Sequence, residues 1–311
     1  MTAGARGEGP GTAREGGGAR APAPGRARAF AALALLAAVW GYTWVVLKIA
    51  TRDASPLAIS ALRGGLGAAA LLAFLALTRR PLRPTPFGPT AVYGLLQTVG
   101  FTVPQTIAVS LGGVGRTAIL AYTMPFWLAL LAWPFLGERI TGPRWGALAL
   151  AGAGLWLVAG PLGTRPALAS LLGVASGLSW AASTVWVVRT LLRRGHDLLS
   201  VTAWQMVWGS AVLAVLTILF PEGVRWTPSL AASLAFLGGA NALSWALWVF
   251  VLSRLPAVAA GLGSLATPVV GIALAAAQLH EIPSRVELLG MALVVTALLV
   301  NALAPAGPRA R

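Results

Sequence analysis

Polar and aromatic side chains recur at helical spacing inside stretches of the 311-residue sequence that are otherwise apolar. Residues four apart share one face of a helix, so such sets could line a common cavity. Aromatic rings would shape that cavity, while amide and hydroxyl groups would orient a bound molecule. The sequence therefore predicts a substrate-binding site formed by Trp40, Trp44, Tyr93, Gln97, Gln105, Tyr122, Trp180, Ser183, Trp186, Asn241, Trp245, Trp248 and Ser264.

These residues also have a plainer interpretation, which the sequence leaves open. Tryptophan and tyrosine are enriched at membrane interfaces, and amides such as Gln97 and Asn241 can join helices by hydrogen bonds. A reactive constellation is not apparent, because the sequence has no cysteine, two histidines (His196 and His280) and no pair of carboxylates within one apolar stretch. We therefore predict no catalytic residue, no metal site and no cofactor, and do not expect an enzyme.

Two prolines within apolar stretches, Pro125 and Pro268, are predicted to act as hinges. A proline inside a helix removes a hydrogen bond and can bend the helix, although membrane helices also simply tolerate prolines. The residues Glu138 and Glu281 follow them at the same distance, 13 residues in both cases. We interpret these glutamates as loop or capping groups rather than as proton carriers.

The composition indicates that lipid rather than water surrounds most of the chain. Hydrophobic residues make up 57% of the sequence, and charged residues 10%, against about 25% in a soluble domain. The formal net charge of +15 comes from arginines placed between apolar runs, where they orient helices in a bilayer. The lipid bilayer is thus a predicted partner, and nucleic acid is not.

Ten apolar runs are long enough to cross the hydrocarbon core, which needs roughly 20 residues per helix. The fold class predicted is an all-α membrane protein with ten transmembrane helices. The predicted spans are Phe30–Ala50, Pro56–Leu77, Thr90–Ser110, Ala118–Leu136, Trp145–Leu162, Ala167–Leu191, Leu199–Phe220, Leu230–Leu252, Ala257–Leu279 and Val286–Leu303.

The distribution of basic residues predicts that both termini lie in the cytoplasm. With that orientation, 16 of the 23 basic residues fall on the cytoplasmic side, 6 fall on the opposite side, and Arg63 lies within a span. Residues 1–29 form a Gly-, Ala-, Arg- and Pro-rich tail that we expect to be disordered, and residues 304–311 form a short C-terminal tail. The location predicted is the cytoplasmic membrane, crossed many times.

Arg63 is the basic residue whose placement demands an explanation. An arginine inside a bilayer costs about 2.5 to 3.5 kcal/mol on insertion scales unless it is paired or hydrated. Two roles remain open for Arg63: holding a substrate carboxylate, or a structural role such as reaching toward the headgroups.

The second half of the sequence repeats landmarks of the first half in the same order. Trp40 corresponds to Trp180, Pro125 to Pro268, and Gln205 stands where the first half has Arg63. The repeats are residues 30–162 and 167–303, with five predicted spans each. Because five is odd, the two copies must cross the membrane in opposite senses, as in many secondary transporters.

Three segments carry a resemblance to a known family. They are WGYTWVVLK at Trp40–Lys48, MPFWLALLAWPFLGERIT at Met124–Thr141 and ATPVVGIALAAAQLHE at Ala266–Glu281. With these segments the chain resembles the drug/metabolite transporter superfamily, specifically its EamA-like branch. One departure is Leu279-His280-Glu281, where the family more often has Leu-Gly-Glu.

The resemblance implies a transporter that exports or exchanges small metabolites, including amino acids and drug-like compounds. We expect a secondary transporter that works by alternating access on a small-molecule substrate, with the site where the repeats meet. A membrane scaffold or lipid-handling protein that does not transport is the alternative. Substrate, direction, coupling ion and oligomeric state remain open.

Overall fold

The computed structural model describes residues 24–137, 140, 142–159, 165–255 and 263–303, and this part of the chain is almost entirely helical. One isolated antiparallel bridge joins Ala54 to Val224. The α-helices are α1 (Pro24–Ala50), α2 (Pro56–Leu77), α3 (Phe87–Gly94), α4 (Gly100–Gly112), α5 (Val114–Ala121), α6 (Met124–Leu136), α7 (Gly142–Ala159), α8 (Arg165–Thr190), α9 (Leu198–Leu219), α10 (Pro228–Leu252), α11 (Ala266–Leu279) and α12 (Arg285–Leu303).

Helices lie within all ten predicted spans, and seven helical segments of the described chain are long and apolar enough to cross a membrane. The ten-span count itself remains a prediction. Large apolar side chains such as Trp156, Leu171 and Val215 are exposed on the surface of the bundle, as expected for side chains that face lipid. The seven segments are Ala27–Ala50, Pro56–Leu77, Val114–Leu136, Ala167–Arg194, Leu198–Leu219, Pro228–Val251 and Arg285–Leu303.

The first helix begins earlier than the sequence predicts. It starts at Pro24, inside the segment predicted to be a disordered tail, and Ala29 is fully buried. Proline is tolerated in the first turn of a helix, and alanine and arginine are strong helix formers. Residues 1–23 and 304–311 lie outside the described part of the chain, as do Glu138 and Arg139.

The packing of the helices repeats between the two halves of the chain. In the first half α1 packs on α10 and α11, and its counterpart α8 packs on α4 and α6. Likewise α2 packs on α10, and its counterpart α9 packs on α3. The contacts of α2 with α9 and of α7 with α12 join counterpart helices directly. Exchanging the two halves thus preserves the main packing pairs, which is the behaviour expected of two repeats related by a pseudo-two-fold axis.

Glycines allow the closest of these crossings. A Cβ atom on Gly154 of α7 would lie 2.7 Å from the carbonyl oxygen of Gly290, and one on Gly290 would lie 2.8 Å from that of Gly154. No side chain fits at such distances without movement of the backbone. Small residues at helix contacts are typical of membrane proteins, where close backbone approach maximises van der Waals packing.

The third predicted span is a helix with a change of pitch at its centre. Between α3 and α4, residues Leu95–Val99 form a π-helical turn in which the Gly100 N–H donates to the carbonyl of Leu95. The Ser179 hydroxyl of α8 donates to the neighbouring carbonyl of Leu96 at 2.8 Å. A π-helical turn adds one residue to the helical repeat, so it changes which residues before and after it share a face.

The fourth and ninth predicted spans are interrupted at equivalent places. Residues Tyr122 and Thr123 form a turn between α5 and α6, and Leu265 forms a turn directly before α11. Pro125 is the second residue of α6, and Pro268 is the third residue of α11. The hinge role predicted for these prolines remains a prediction, although they do not lie in the middle of a continuous helix. They instead lie in the first turn after a break, where a missing N–H leaves no helical hydrogen bond unmade.

Candidate functional site

A cavity of about 140 Å³ lies between the two halves of the molecule. Residues from α1, α2, α4, α5, α6, α8, α9, α10 and the π-helical turn contribute to its wall. Nine of the residues singled out from the sequence line it: Trp40, Trp44, Arg63, Gln97, Gln105, Tyr122, Trp180, Asn241 and Trp245.

Two pairs of counterpart positions from the two repeats line this cavity. Trp40 of α1 and Trp180 of α8 both line it. So do Arg63 and Gln205, each of which is the eighth residue of its helix, α2 and α9 respectively. Two counterpart pairs therefore contribute to the cavity wall, and in the second pair one residue carries a charge and the other does not.

Hydroxyl groups fix two of the amides that line the cavity. The Thr98 hydroxyl donates to Oε1 of Gln205 at 2.8 Å, and the Ser183 hydroxyl donates to Oε1 of Gln97 at 2.5 Å. Gln205 is fully buried, and its Nε2 has no hydrogen-bond partner among the described residues. An unmade hydrogen bond on a buried donor is costly, so this amide needs an acceptor that a bound molecule could supply.

Arg63 is the charged side chain among the described residues that line the cavity. It is partly buried, and its Nη1 lies 3.4 Å from Oε1 of Gln105, to which it donates. A guanidinium has five N–H donors, so this single long hydrogen bond leaves most of its donor capacity for water or a ligand.

The acidic side chains of the described chain pair with other basic residues. Four ion pairs are formed, and the exposed Glu222 belongs to none of them. They join Lys48 to Glu281 at 3.8 Å, Arg80 to Asp197 at 3.5 Å, Arg225 to Asp53 at 2.9 Å and Arg116 to Glu287. No described carboxylate neutralises Arg63.

Two of the predicted residues lie in a neighbouring core instead of the cavity. Tyr93 is buried and belongs to a cluster with Val187 of α8 and with Leu191, which directly follows α8. The indole Nε1 of Trp186 donates to the carbonyl of Pro89 at 2.9 Å. The sequence placed Tyr93 on the face of Gln97, but the intervening π-helical turn breaks that alignment.

Three other predicted residues surround the cavity wall without belonging to it. Ser183 donates a hydrogen bond to the Gln97 amide oxygen but does not itself line the cavity. The Trp248 ring lies 6.0 Å from the ring of Trp40, between centroids, and packs in a core beside it. Ser264, next to the turn before α11, does not contribute to the described wall.

The prediction missed several wall residues, chiefly small hydroxyl groups and thioethers. Thr98 and Thr102 lie one residue beyond Gln97 and Phe101, so the wall of this helix is wider than a single row. Recognising that width from the sequence would have required knowing that the helix changes pitch. The residues missed are Thr43, Gly64, Thr98, Thr102, Ala121, Met124, Gln205 and Met206.

Charged side chains also gather where α1, α4 and α11 end, a region that we call the Lys48 end and define by Lys48, Arg116, Glu281 and Glu287. Nζ of Lys48 donates to the carbonyls of Val109 at 2.8 Å and of Ser110 at 3.2 Å. Oε2 of Glu281 accepts from the N–H of Val114 at 2.7 Å. The Lys48–Glu281 pair thus holds the C-terminus of α4 and the N-terminus of α5, with charges that suit both helix dipoles.

The chain matches known transporters over nearly its whole length. It is 26% identical to the uncharacterized transporter YoaV of Bacillus subtilis, covering 85% of this chain and 92% of the relative. It is also 26% identical to a protein of Escherichia coli named as a probable amino-acid metabolite efflux pump, covering 86% and 92% respectively.

A solved crystal structure shares the fold, with a TM-score of 0.65 and 22% sequence identity over 89% of this chain and 99% of the other. The profile of the EamA-like transporter family matches residues 28–160 and again residues 167–303. Both repeats match this profile. The match confirms the membership of the drug/metabolite transporter superfamily that the sequence predicts. This multi-pass membrane protein belongs to the EamA-like transporter family.

Proposed function

We propose that this protein is a secondary transporter that exports or exchanges a small amphipathic metabolite, such as an amino acid derivative, by alternating access. The cavity lined by counterpart positions of the two repeats is the observation that carries the proposal. A substrate site at the interface of inverted repeats serves both sides of the membrane, because the repeats can rock about it. The name of the Escherichia coli relative supports a metabolite of amino acid origin.

The breaks before Pro125 and Pro268 supply places where such a movement could occur. Both precede a helix that packs against the first helix of the opposite repeat: α6 against α8, and α11 against α1. The residue Gly271 of α11 lies against Gly41 of α1, where a Cβ atom on Gly41 would approach the Gly271 nitrogen to 3.1 Å. Because glycines have no side chain to project between the helices, a contact of this kind favours sliding of one helix along another.

The Lys48 end fits a closed gate in this scheme. It ties α1, α4, α5 and α11 together through the Lys48–Glu281 pair. The distribution of basic residues favours an orientation with both termini in the cytoplasm, and in that orientation this end lies on the opposite side of the cytoplasmic membrane. Opening toward that side would require the pair to separate.

Counterflow in proteoliposomes tests the proposal directly. Vesicles loaded with an unlabelled compound are diluted into its radiolabelled form, using amino acids, aromatic acids and cationic drugs in turn. We expect saturable uptake of at least one compound, and a loss of about tenfold or more in Asn241→Ala and Trp245→Ala, which remove an orienting amide and an aromatic wall.

The variant Arg80→Ala is the control, since Arg80 is exposed and lies outside the cavity. It should retain uptake at the level of the native chain. If the folded protein takes up no compound of the panel, or if the cavity variants transport as well as the native chain, the proposal is wrong and a non-transporting role in the membrane is favoured.

A further inference from the structure

We infer that the cavity binds an organic carboxylate, with the carboxylate held by Arg63 and an aromatic or aliphatic body held by the surrounding rings. The inference rests on the proposed transport function, because it names the class of molecule that the same cavity takes. It goes further in assigning a charge to the substrate and a residue to that charge.

The charge balance of the cavity is the first support. Arg63 lines a space between membrane helices, and none of the described residues lining that space is acidic. The four described ion pairs use Asp53, Asp197, Glu281 and Glu287 elsewhere in the molecule. Even a partly buried cation without a counter-charge is unfavourable in surroundings of low dielectric, and a bound anion reduces that penalty.

The hydrogen-bond donors of the cavity are the second support. Gln105 accepts a single long hydrogen bond from Arg63. The remaining N–H groups of the guanidinium can therefore donate to a ligand. Gln205, at the equivalent position of the other repeat, is fully buried with Nε2 unpartnered, while Thr98 fixes its oxygen. Both counterpart positions therefore offer donors. An ionised carboxylate matches them because it has only acceptors and fits the guanidinium with two parallel hydrogen bonds.

The rest of the wall defines the body of the ligand. Six aromatic rings and two methionines surround the polar groups, so a mainly apolar body is accommodated better than a sugar or a polyphosphate. Aromatic rings can also attract cations, but Arg63 repels an amine that lacks an acid group. The residues are Trp40, Trp44, Phe101, Tyr122, Met124, Trp180, Met206 and Trp245.

Three probes of nearly equal size separate these possibilities: 3-phenylpropionate, its primary amide and 3-phenylpropylamine. They share a ring and a three-carbon chain but carry negative, zero and positive charge at neutral pH. Binding to the purified protein is measured by quenching of tryptophan fluorescence and by the rise in melting temperature with ligand concentration. We expect the acid to bind about tenfold or more tightly than either of the other two.

The variant Arg63→Gln should lose this preference. Its affinity for the acid should fall about tenfold or more, while its affinity for the amide should stay within about threefold, because only the charged contact is removed. Arg63→Lys should give an intermediate affinity, since it keeps the charge and loses the planar fork. The matched control is Arg194→Gln, a change of the same kind at an exposed position.

Three results would overturn the inference: acid binding no tighter than that of the amide or the amine, an unchanged preference in Arg63→Gln, or no binding of any probe. Counterflow separates this failure from failure of the proposed function. Saturable transport of a neutral or cationic compound that persists in Arg63→Gln would support the transport function and contradict the carboxylate site. Acid-selective binding without counterflow would support the carboxylate site and contradict the transport function.

Discussion

The charged side chains of the Lys48 end and the charged side chain of the central cavity have opposite surroundings. At the Lys48 end, Arg116 donates through Nε and Nη2 to Oε1 of Glu287, and Lys48 pairs with Glu281. In the cavity, Arg63 has an amide oxygen at 3.4 Å and no described carboxylate. The charges of the first set are paired with one another, whereas the charge in the cavity has no counter-charge among the described residues.

The difference suggests how to distinguish a structural charge from a binding charge in a membrane protein. Removing one partner of a buried pair leaves the other uncompensated, so structural charges are costly to remove. An unpaired charge already carries its desolvation cost in the empty protein, so its removal should cost little. Stability and ligand binding should therefore respond in opposite ways at the two places.

The largest loss of stability is expected for Arg116→Met. The side chains of Arg116 and Glu287 are 14% and 19% exposed, and Glu287 also closes a capping box by accepting from the N–H of Ser284 at 2.9 Å. Without Arg116, this partly exposed carboxylate keeps its capping contacts but loses its counter-charge, which costs about 1 to 3 kcal/mol. Thermal unfolding of the purified protein in detergent should show a clear fall in melting temperature.

The double variant Arg116→Met with Glu287→Gln provides the matched comparison. It removes both charges and keeps side chains of similar length, so we expect it to recover more than half of the stability lost in Arg116→Met. A double variant no more stable than the single one would show that the pair does not act through its charges.

Much of the fold follows from the sequence, because length and hydropathy decide where a helix can cross a bilayer. The predicted starts of the spans at Pro56 and Ala167 lie within two residues of the observed helices α2 and α8. Half of the wall could be predicted too, since Trp40 and Trp44 of one straight helix keep their common face. These features depend on neighbours along the chain.

The remainder depends on contacts between distant segments, which spacing does not reveal. The π-helical turn that separates Tyr93 from the cavity wall has its Leu96 carbonyl bound by Ser179, more than eighty residues away. Similarly, the partner of Arg116 is Glu287 on the last helix. A sequence shows that such groups are polar and buried, but only the packed helices decide which of them meet.

A smaller effect is expected from Lys48→Met, and it should concern access rather than stability. The variant removes the contacts of Lys48 with Val109, Ser110 and Glu281, which would hold the proposed gate closed. A loss of about 1 to 2 kcal/mol changes a two-state population by a factor of about 5 to 30. The parent for this test carries Phe101→Cys, whose thiol lies in the cavity wall. When Lys48→Met is added, we expect that thiol to react faster with a membrane-impermeant reagent applied from the Lys48 end.

The chain suits this measurement because it contains no native cysteine. Lys48→Arg, which keeps a positive donor beside the same carbonyls, serves as the control and should react at nearly the rate of the parent. Equal labelling in Lys48→Met and Lys48→Arg would mean that the Lys48–Glu281 pair does not govern access to the cavity.

The smallest change in stability is expected for Arg63→Gln, although this residue lines the cavity. The substitution exchanges an unpaired cation for the residue found at the counterpart position, Gln205. The loss of one long hydrogen bond to Gln105 is offset by relief of the desolvation cost. The free energy of unfolding without ligand should therefore rise, by no more than about 1 kcal/mol. A melting temperature lowered as far as in Arg116→Met would instead place Arg63 among the structural charges, because a charge held for a ligand has nothing in the empty protein to lose.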